Sequence, residues 1–333
     1  MTLSLLACLV ALAARPAAAQ EQDEPPDTVR LAFAWPEGGT ATVRATRLRE
    51  RTENGVPSAA RTTLDYELAL QRSDSGFVVR YSGFRGAGLT AAGGTPEIAS
   101  RVADFTPSYI VSSAGGFVGL GDSAMIRALV DSLTAPLQAH LAEHPAAAEF
   151  LATLTSDEML RSTAEQDWNV LVGTWAGAEF EIGRMYGSRV VERFAVFGGV
   201  DLPMDYEFTA VQRVPCDSAD AGLSCVALQM TSRPDPEVVG TVVRETLVRV
   251  MPADSLMLSE AEFDVLNTVH LVARPESLVP YRLAVTREIT LTLPDGGRMS
   301  EYRERDVSEK RFFWQPASGV SRPASLPGSP ATP

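Results

Sequence analysis

The sequence predicts an α+β fold: a large curved antiparallel β-sheet, a half-barrel or open barrel, wrapped around a central helical segment. Three observations predict it. First, Asp122 to Val172 is the only long stretch with helical periodicity. Ile126, Leu129, Val130, Leu133, Leu137 and Leu141 recur at spacings of three and four, one apolar stripe on a helix. Second, both flanks read as strands, several of them long and joined by tight turns, the pattern of strongly curved sheets. Third, an amphipathic helical block must bury its stripe, and only the flanking sheet offers a surface for it.

Taken in order, residues 1–19 read as an export signal. The apolar run Leu3–Ala14 is too short to span a bilayer, and Ala17-Ala18-Ala19 forms a small-residue cleavage pattern. A rival reading makes Leu5-Leu6-Ala7-Cys8 a lipoprotein box, with Cys8 carrying a lipid anchor. Residues 20–28, acidic and proline-bearing, form a disordered leader. One α+β domain follows over 29–314, with strands in 29–120, helices in 122–172 and strands in 175–314. The Pro/Ser/Ala-rich residues 315–333 form a disordered tail.

In the first strand block, Leu64, Tyr66, Leu68 and Leu70 alternate with Asp65, Glu67, Ala69 and Gln71. That is a strand with one buried and one wet face. A turn at Pro36–Gly39 separates Val29–Trp35 from Thr40–Arg51, Asp74-Ser75-Gly76 leads into Phe77–Phe84, and Pro96–Asp104 suggests a helical turn. In the helical block, Pro136 predicts a kink or break, because proline removes a backbone donor, and Pro145 predicts a new helix start. Thr155 and Glu158 have the spacing of a capping box for a helix carrying Leu160, Ala164 and Trp168. The second block offers Glu179–Met185, Ser188–Val196, Tyr206–Val214, Cys225–Ser232, Val238–Val250, Leu256–Val272, Arg282–Leu293 and Arg298–Trp314 as strands. Asp65–Arg72 is echoed by Asp205–Arg213, which suggests a duplication or the convergence of two alternating strands.

With Cys8 removed, Cys216 and Cys225 form an even pair around a turn-rich loop. In an oxidising compartment they make a disulfide adding about 2–3 kcal/mol. The net charge of −13 argues against nucleic acid and anionic membrane surfaces as partners, and no other apolar run is long enough for a membrane helix. Lys310 is the only lysine.

Catalytic signals are sparse. His140-Leu141-Ala142-Glu143-His144 matches the inverted zinc-protease pattern, in which His140 and His144 ligate zinc and Glu143 acts as base. Pro145 stands where that helix should continue, and no third ligand can be assigned. His270 reads as a structural residue on a strand. Glu260 with Glu262, and Glu301 with Glu304, read as solvated faces rather than a glycosidase pair. Gly119-Leu120-Gly121 lacks a third glycine, and there is no nucleophile elbow or P-loop, so neither catalytic residue nor cofactor is assigned. Trp168 and Trp175 flank the junction of helices and second sheet. They either anchor helix to sheet or, with Leu133 and Leu137, line a cavity between the two.

The export signal, the order of strands and helices, and the Pro294–Gly297 hairpin together resemble exported half-barrel proteins. That class includes the periplasmic lipoprotein carriers of the LolA/LppX type. The resemblance implies a concave apolar face able to hold an acyl chain, unless the internal helices fill it. The expectation is therefore a non-catalytic, exported protein of the cell envelope whose partner is a lipid or other apolar ligand, or an envelope protein. The alternatives are a secreted hydrolase and a structural, protein-binding module.

Overall fold

The computed structural model describes residues 26–74, 76–86, 107–143, 145–194, 200–216, 222–250, 261–295 and 298–315. The expected export signal, most of the expected leader, the expected C-terminal tail after Gln315, the helical turn suggested at Pro96–Asp104, and Cys8, His144 and Glu260 lie outside them. Eleven strands form one antiparallel sheet: β2 (Thr40–Glu53), β3 (Val56–Ser73), β4 (Gly76–Arg85), β5 (Ser108–Val111), β6 (Phe117–Leu120), β8 (Met185–Phe194), β9 (Val200–Pro215), β10 (Ser224–Pro234), β11 (Glu262–Ala273), β12 (Pro280–Asp295) and β13 (Arg298–Gln315). Their order is β6-β5-β4-β3-β2-β13-β12-β11-β10-β9-β8. The sheet is curved and open. Two further short strands, β1 (Thr28–Arg30) and β7 (Glu179–Glu181), pair with each other.

This topology explains where the helices go. The first and last long strands, β2 and β13, meet at the sheet's centre, from Thr40 opposite Gln315 to Glu53 opposite Tyr302. The chain therefore leaves the first half at one edge, β6, and enters the second at the other edge, β8. Laid flat, eleven strands would be about 48 Å wide. Curvature shortens the crossing, and the connection is the helical block: α1 (Ser123–His140), a 3-10 turn at Leu141–Glu143, α2 (Pro145–Leu154), α3 (Asp157–Trp168) and a π-turn at Asn169–Gly173.

The core lies between one sheet face and the end of this block. Trp168, Leu171, Val172 and Trp175 are buried with Leu31 and Trp35 from the leading segment and Val43, Leu68, Leu228, Leu271, Leu283 and Phe312 from the strands. Trp168 and Trp175 are fully buried and donate through Nε1 to the carbonyls of Gly115 (2.7 Å) and Val170 (3.0 Å). Gly115 has φ +90°, and a Cβ there would stand 2.8 Å from the Phe33 ring, so only glycine lets this turn sit against the core. Leu31 to Ala34 is not a sheet strand. It runs extended as a filler, bonded to Gly177, Ala178, Pro275 and Ser277. By contrast α1 buries only Ile126 among its described side chains, and Leu137 is 53% exposed. What fills the curve is thus the end of the helical block and the Leu31–Trp35 segment, more than the long helix.

Several boundaries differ from the sequence expectations. Val238–Val250 is not a strand but most of helix α4 (Pro236–Val250). Its β-branched composition suggested a strand, yet Val239, Val242 and Val243 recur at helical spacing and pack on Leu202 of β9. Asp235 caps its start, accepting from the amides of Glu237 (3.2 Å) and Val238 (3.3 Å). Helix α1 runs through Pro136 without a break and ends at His140, and a new helix begins at Pro145 as expected. The cap of α3 is Ser156, whose Oγ accepts from the Met159 amide at 3.2 Å, one residue on from the expected Thr155. Asn54-Gly55, with φ of 50° and 79°, closes a two-residue hairpin that the sequence reading passed over. Strand β3 consequently starts at Val56, well before the alternating segment at Leu64.

Candidate functional site

The face of the sheet that carries the core is the place to look for a site, because the strands outrun the core. Ladder partners share a face, so the register maps it. Core residues Val43, Tyr66 and Phe312 sit side by side; two residues along come Ala45, Leu64 and Lys310; then Arg47, Thr62 and Ser308; then Arg49, Ala60 and Asp306; then Arg51, Ser58 and Glu304. On the far side of β13 the same rows continue through Leu283, Val285, Arg287 and Ile289.

Two features stand out on this face. The first is an aromatic row crossing β4, β3, β5 and β6. Ring centroids are 5.3 Å apart for Phe84 and Tyr66, 5.9 Å for Tyr66 and Tyr81, 5.1 Å for Tyr81 and Tyr109, and 5.8 Å for Tyr109 and Phe117. All five rings belong to or pack on the core cluster. Among the described residues no group hydrogen-bonds to the hydroxyls of Tyr66, Tyr81 or Tyr109, and none of the three is a fully buried oxygen left without a partner, unlike the Oγ atoms of Ser73 and Ser277. Burial, and then charge interactions with Asp167 at the end of α3 and among the tyrosines themselves, push all three phenols well above their ordinary range. They are neutral donors at physiological pH.

The second feature is a charged belt beyond the core. Glu304 is the one charged residue buried among the described residues. Arg49 meets it through Nε and Nη2, both at 2.8 Å, Arg51 through Nε at 2.9 Å, and the Tyr302 hydroxyl donates to it. Burial alone would raise the Glu304 pKa. The hydrogen bonds from Arg49, Tyr302 and Arg51 outweigh it, and the carboxyl falls to about 2. Glu304 therefore does not lie on a solvated face, as its place in an alternating strand suggested. Arg47 holds Asp306 in the next row.

Two open clefts lie toward the distal ends of the strands. One of about 680 Å³, on β2, β3, β12 and β13, is lined mostly from the opposite face of the sheet, by residues such as Glu50, Thr52, Glu288 and Arg305, together with Arg51, Ser58, Ile289 and Glu304 of the core-bearing face. Another of about 620 Å³ lies between α4 and β11–β12 and is lined by Arg233, Glu237, Arg244, Glu262, Phe263 and Asp264.

The other sequence-selected residues are dispersed. The backbone at His140 ends α1, Glu143 is exposed on the 3-10 turn, and His144 is outside the described residues. Among the described residues no three His, Cys, Asp or Glu side chains gather as a metal site. His270 is exposed on β11 opposite Gln229 and Ala284, so it faces neither the core nor the belt. Leu133 is half-buried on α1. Cys216 and Cys225 form the expected disulfide, with Cα atoms 4.9 Å apart, stapling the β9–β10 loop; this fits a non-cytoplasmic compartment. No described helix is long and apolar enough to cross a membrane.

The sequence reading missed both surface features. The aromatic row joins residues from Tyr66 to Phe117, and the belt joins Arg47 to Glu304, so neither is a local motif. No family model matches the sequence, and no curated protein matches it. Among solved structures, one of lipovitellin with its lipid–protein interactions aligns at 8% identity and a TM-score of 0.44, covering 88% of this chain and 27% of that one. An outer membrane channel from Pseudomonas putida F1 aligns at 8% identity and a TM-score of 0.15, covering 85% of this chain and 98% of that one. This chain thus spans about a quarter of the lipovitellin chain, and both superpositions are too loose to carry an argument about function.

Proposed function

We propose that this chain is a non-catalytic, exported binding protein of the cell envelope, folded as one unit, that holds an amphipathic or apolar small molecule against the core-bearing face of its curved sheet. The observation that carries the reading is the Phe84–Tyr66–Tyr81–Tyr109–Phe117 row. It sets four half-buried rings around the buried Tyr66, with three neutral hydroxyls that have no described protein partner. Such a row suits a ligand that is mostly hydrocarbon with a few polar atoms. Neither the dispersed histidines nor the ion-paired Glu304 supports acid–base chemistry on this face. The signal-like pattern read in residues 1–19 and the disulfide support the envelope assignment.

Titration with a neutral fluorescent apolar probe such as N-phenylnaphthylamine tests the reading. The folded protein should enhance probe emission saturably, and Tyr81→Asp, which places a charge in the middle of the row, should abolish the enhancement while Tyr81→Phe keeps it. Equal enhancement by wild type and Tyr81→Asp would contradict the assignment.

A further inference from the structure

The charged belt carries an inference about the ligand's head. The chain has a net charge of −13, yet the core-bearing face of β2, β12 and β13 presents Arg47, Arg49, Arg51, Arg287 and Lys310 against Glu53, Glu304 and Asp306. The three carboxylates do not spread evenly among the five cations. Glu304 is held by Arg49 and Arg51, and Asp306 by Arg47. Lys310 and Arg287 make no ion pair with any described carboxylate. Lys310, the only lysine, is half-buried between Ala45 and Leu283, immediately beyond Phe312 of the core.

These cations surround one small residue. On the shared face Ser308 lies directly opposite Arg47, two residues from Lys310 along β13, and diagonal to Arg287. Diagonal and next-but-one neighbours in a sheet are about 7–8 Å apart at the backbone, within reach of lysine and arginine side chains. An anion above the Ser308 hydroxyl can thus be met from three sides. The same rows lead from the platform to apolar ground: Ala45 and Leu64 flank Lys310's row, and Tyr66 of the aromatic row comes next. No described helix packs extensively on β2, β12 or β13; the helices lie against β6 and β9–β11.

We infer that the ligand is a single-chain anionic amphipath, its carboxylate or phosphate seated over Ser308 between Lys310, Arg47 and Arg287, and its hydrocarbon running across Ala45 and Leu64 to the aromatic row. This rests on the binding role proposed above and names the ligand class. Charge complementarity selects it: Lys310 is half-buried with no described partner, which is costly, and a ligand anion supplies one, while the exposed Arg287 and Arg47, the latter also holding Asp306, add positive charge around it.

Displacement of the neutral probe by four ligands of one chain type tests it: oleate, 1-oleoyl lysophosphatidate, oleyl alcohol and monoolein. Oleate or lysophosphatidate should displace at least tenfold better than the uncharged pair at low salt, with the margin shrinking at 1 M salt. The better of the two anions tells a carboxylate head from a phosphate head. Lys310→Met and Arg287→Met should each weaken the anions about tenfold and leave the alcohol unchanged, at unaltered melting temperature. Equal displacement by anion and alcohol in the wild type would overturn the head-group assignment and leave the binding role standing. Failure of all four ligands and of the probe would overturn the binding role itself.

Discussion

Glu304→Gln isolates the ion-pair cluster that stiffens the distal sheet. Glu304 is only 7% exposed, and its pKa falls from an ordinary 4.5 to about 2 because the hydrogen bonds from Arg49, Tyr302 and Arg51 outweigh the cost of burial. Each pKa unit corresponds to about 1.4 kcal/mol, so the charged form contributes at most about 3 kcal/mol. Arg49 and Arg51 are 40% and 41% exposed, and their solvation reduces what the substitution removes. About 2 kcal/mol is the expected loss at pH 7, a melting-temperature drop of about 4–6 °C for a chain of this size. The sign with pH follows from a pKa depressed in the folded state. The contribution is fully present above the unfolded value near 4.5 and disappears as pH falls towards 2. Urea unfolding followed by tryptophan emission is the assay, since Trp35, Trp168, Trp175 and Trp314 all lie in or against the core. Wild type should exceed Glu304→Gln at pH 7, and the gap should close between pH 4.5 and pH 2. Equal stability at pH 7, or a gap of the same size at pH 2.5, would refute the reasoning.

Other expectations follow from the same structure. Trp168→Ala removes a fully buried side chain that bonds to Gly115 and should cost about 3–5 kcal/mol by urea unfolding. Replacing Cys216 and Cys225 with alanine should lower stability by about 2–3 kcal/mol, and added reductant should then have no further effect. Asp235→Ala removes the cap of α4 and an ion pair to Arg189; the urea midpoint should fall and helicity by circular dichroism should be slightly reduced.

The parts of the fold legible in the sequence were those written in local patterns. Leu64, Tyr66, Leu68 and Leu70 alternate and lie where alternation puts them, and Cys216 and Cys225 bracket a turn and bond across it. Helix α4 was hidden because Val238, Val239, Val242 and Val243 weigh towards strand by composition, and only their spacing says helix. The Asn54-Gly55 turn was legible and passed over. The aromatic row and the cationic platform were not legible at all. Lys310 joins Arg47 only because β13 returns to pair with β2, and nothing near either residue announces that pairing. Glu304 looked solvated for the same reason: its partners come from a strand some 250 residues away, Arg49 at a separation of 255 and Arg51 at 253.

The most direct test of the account is native mass spectrometry of the full chain purified from its own envelope under mild conditions, followed by organic extraction. The account predicts a bound species released as a stoichiometric single-chain anionic amphipath, lost from Tyr81→Asp and depleted in Lys310→Met. Protein that carries nothing when isolated, and takes up neither probe nor amphipath when offered them, would contradict it.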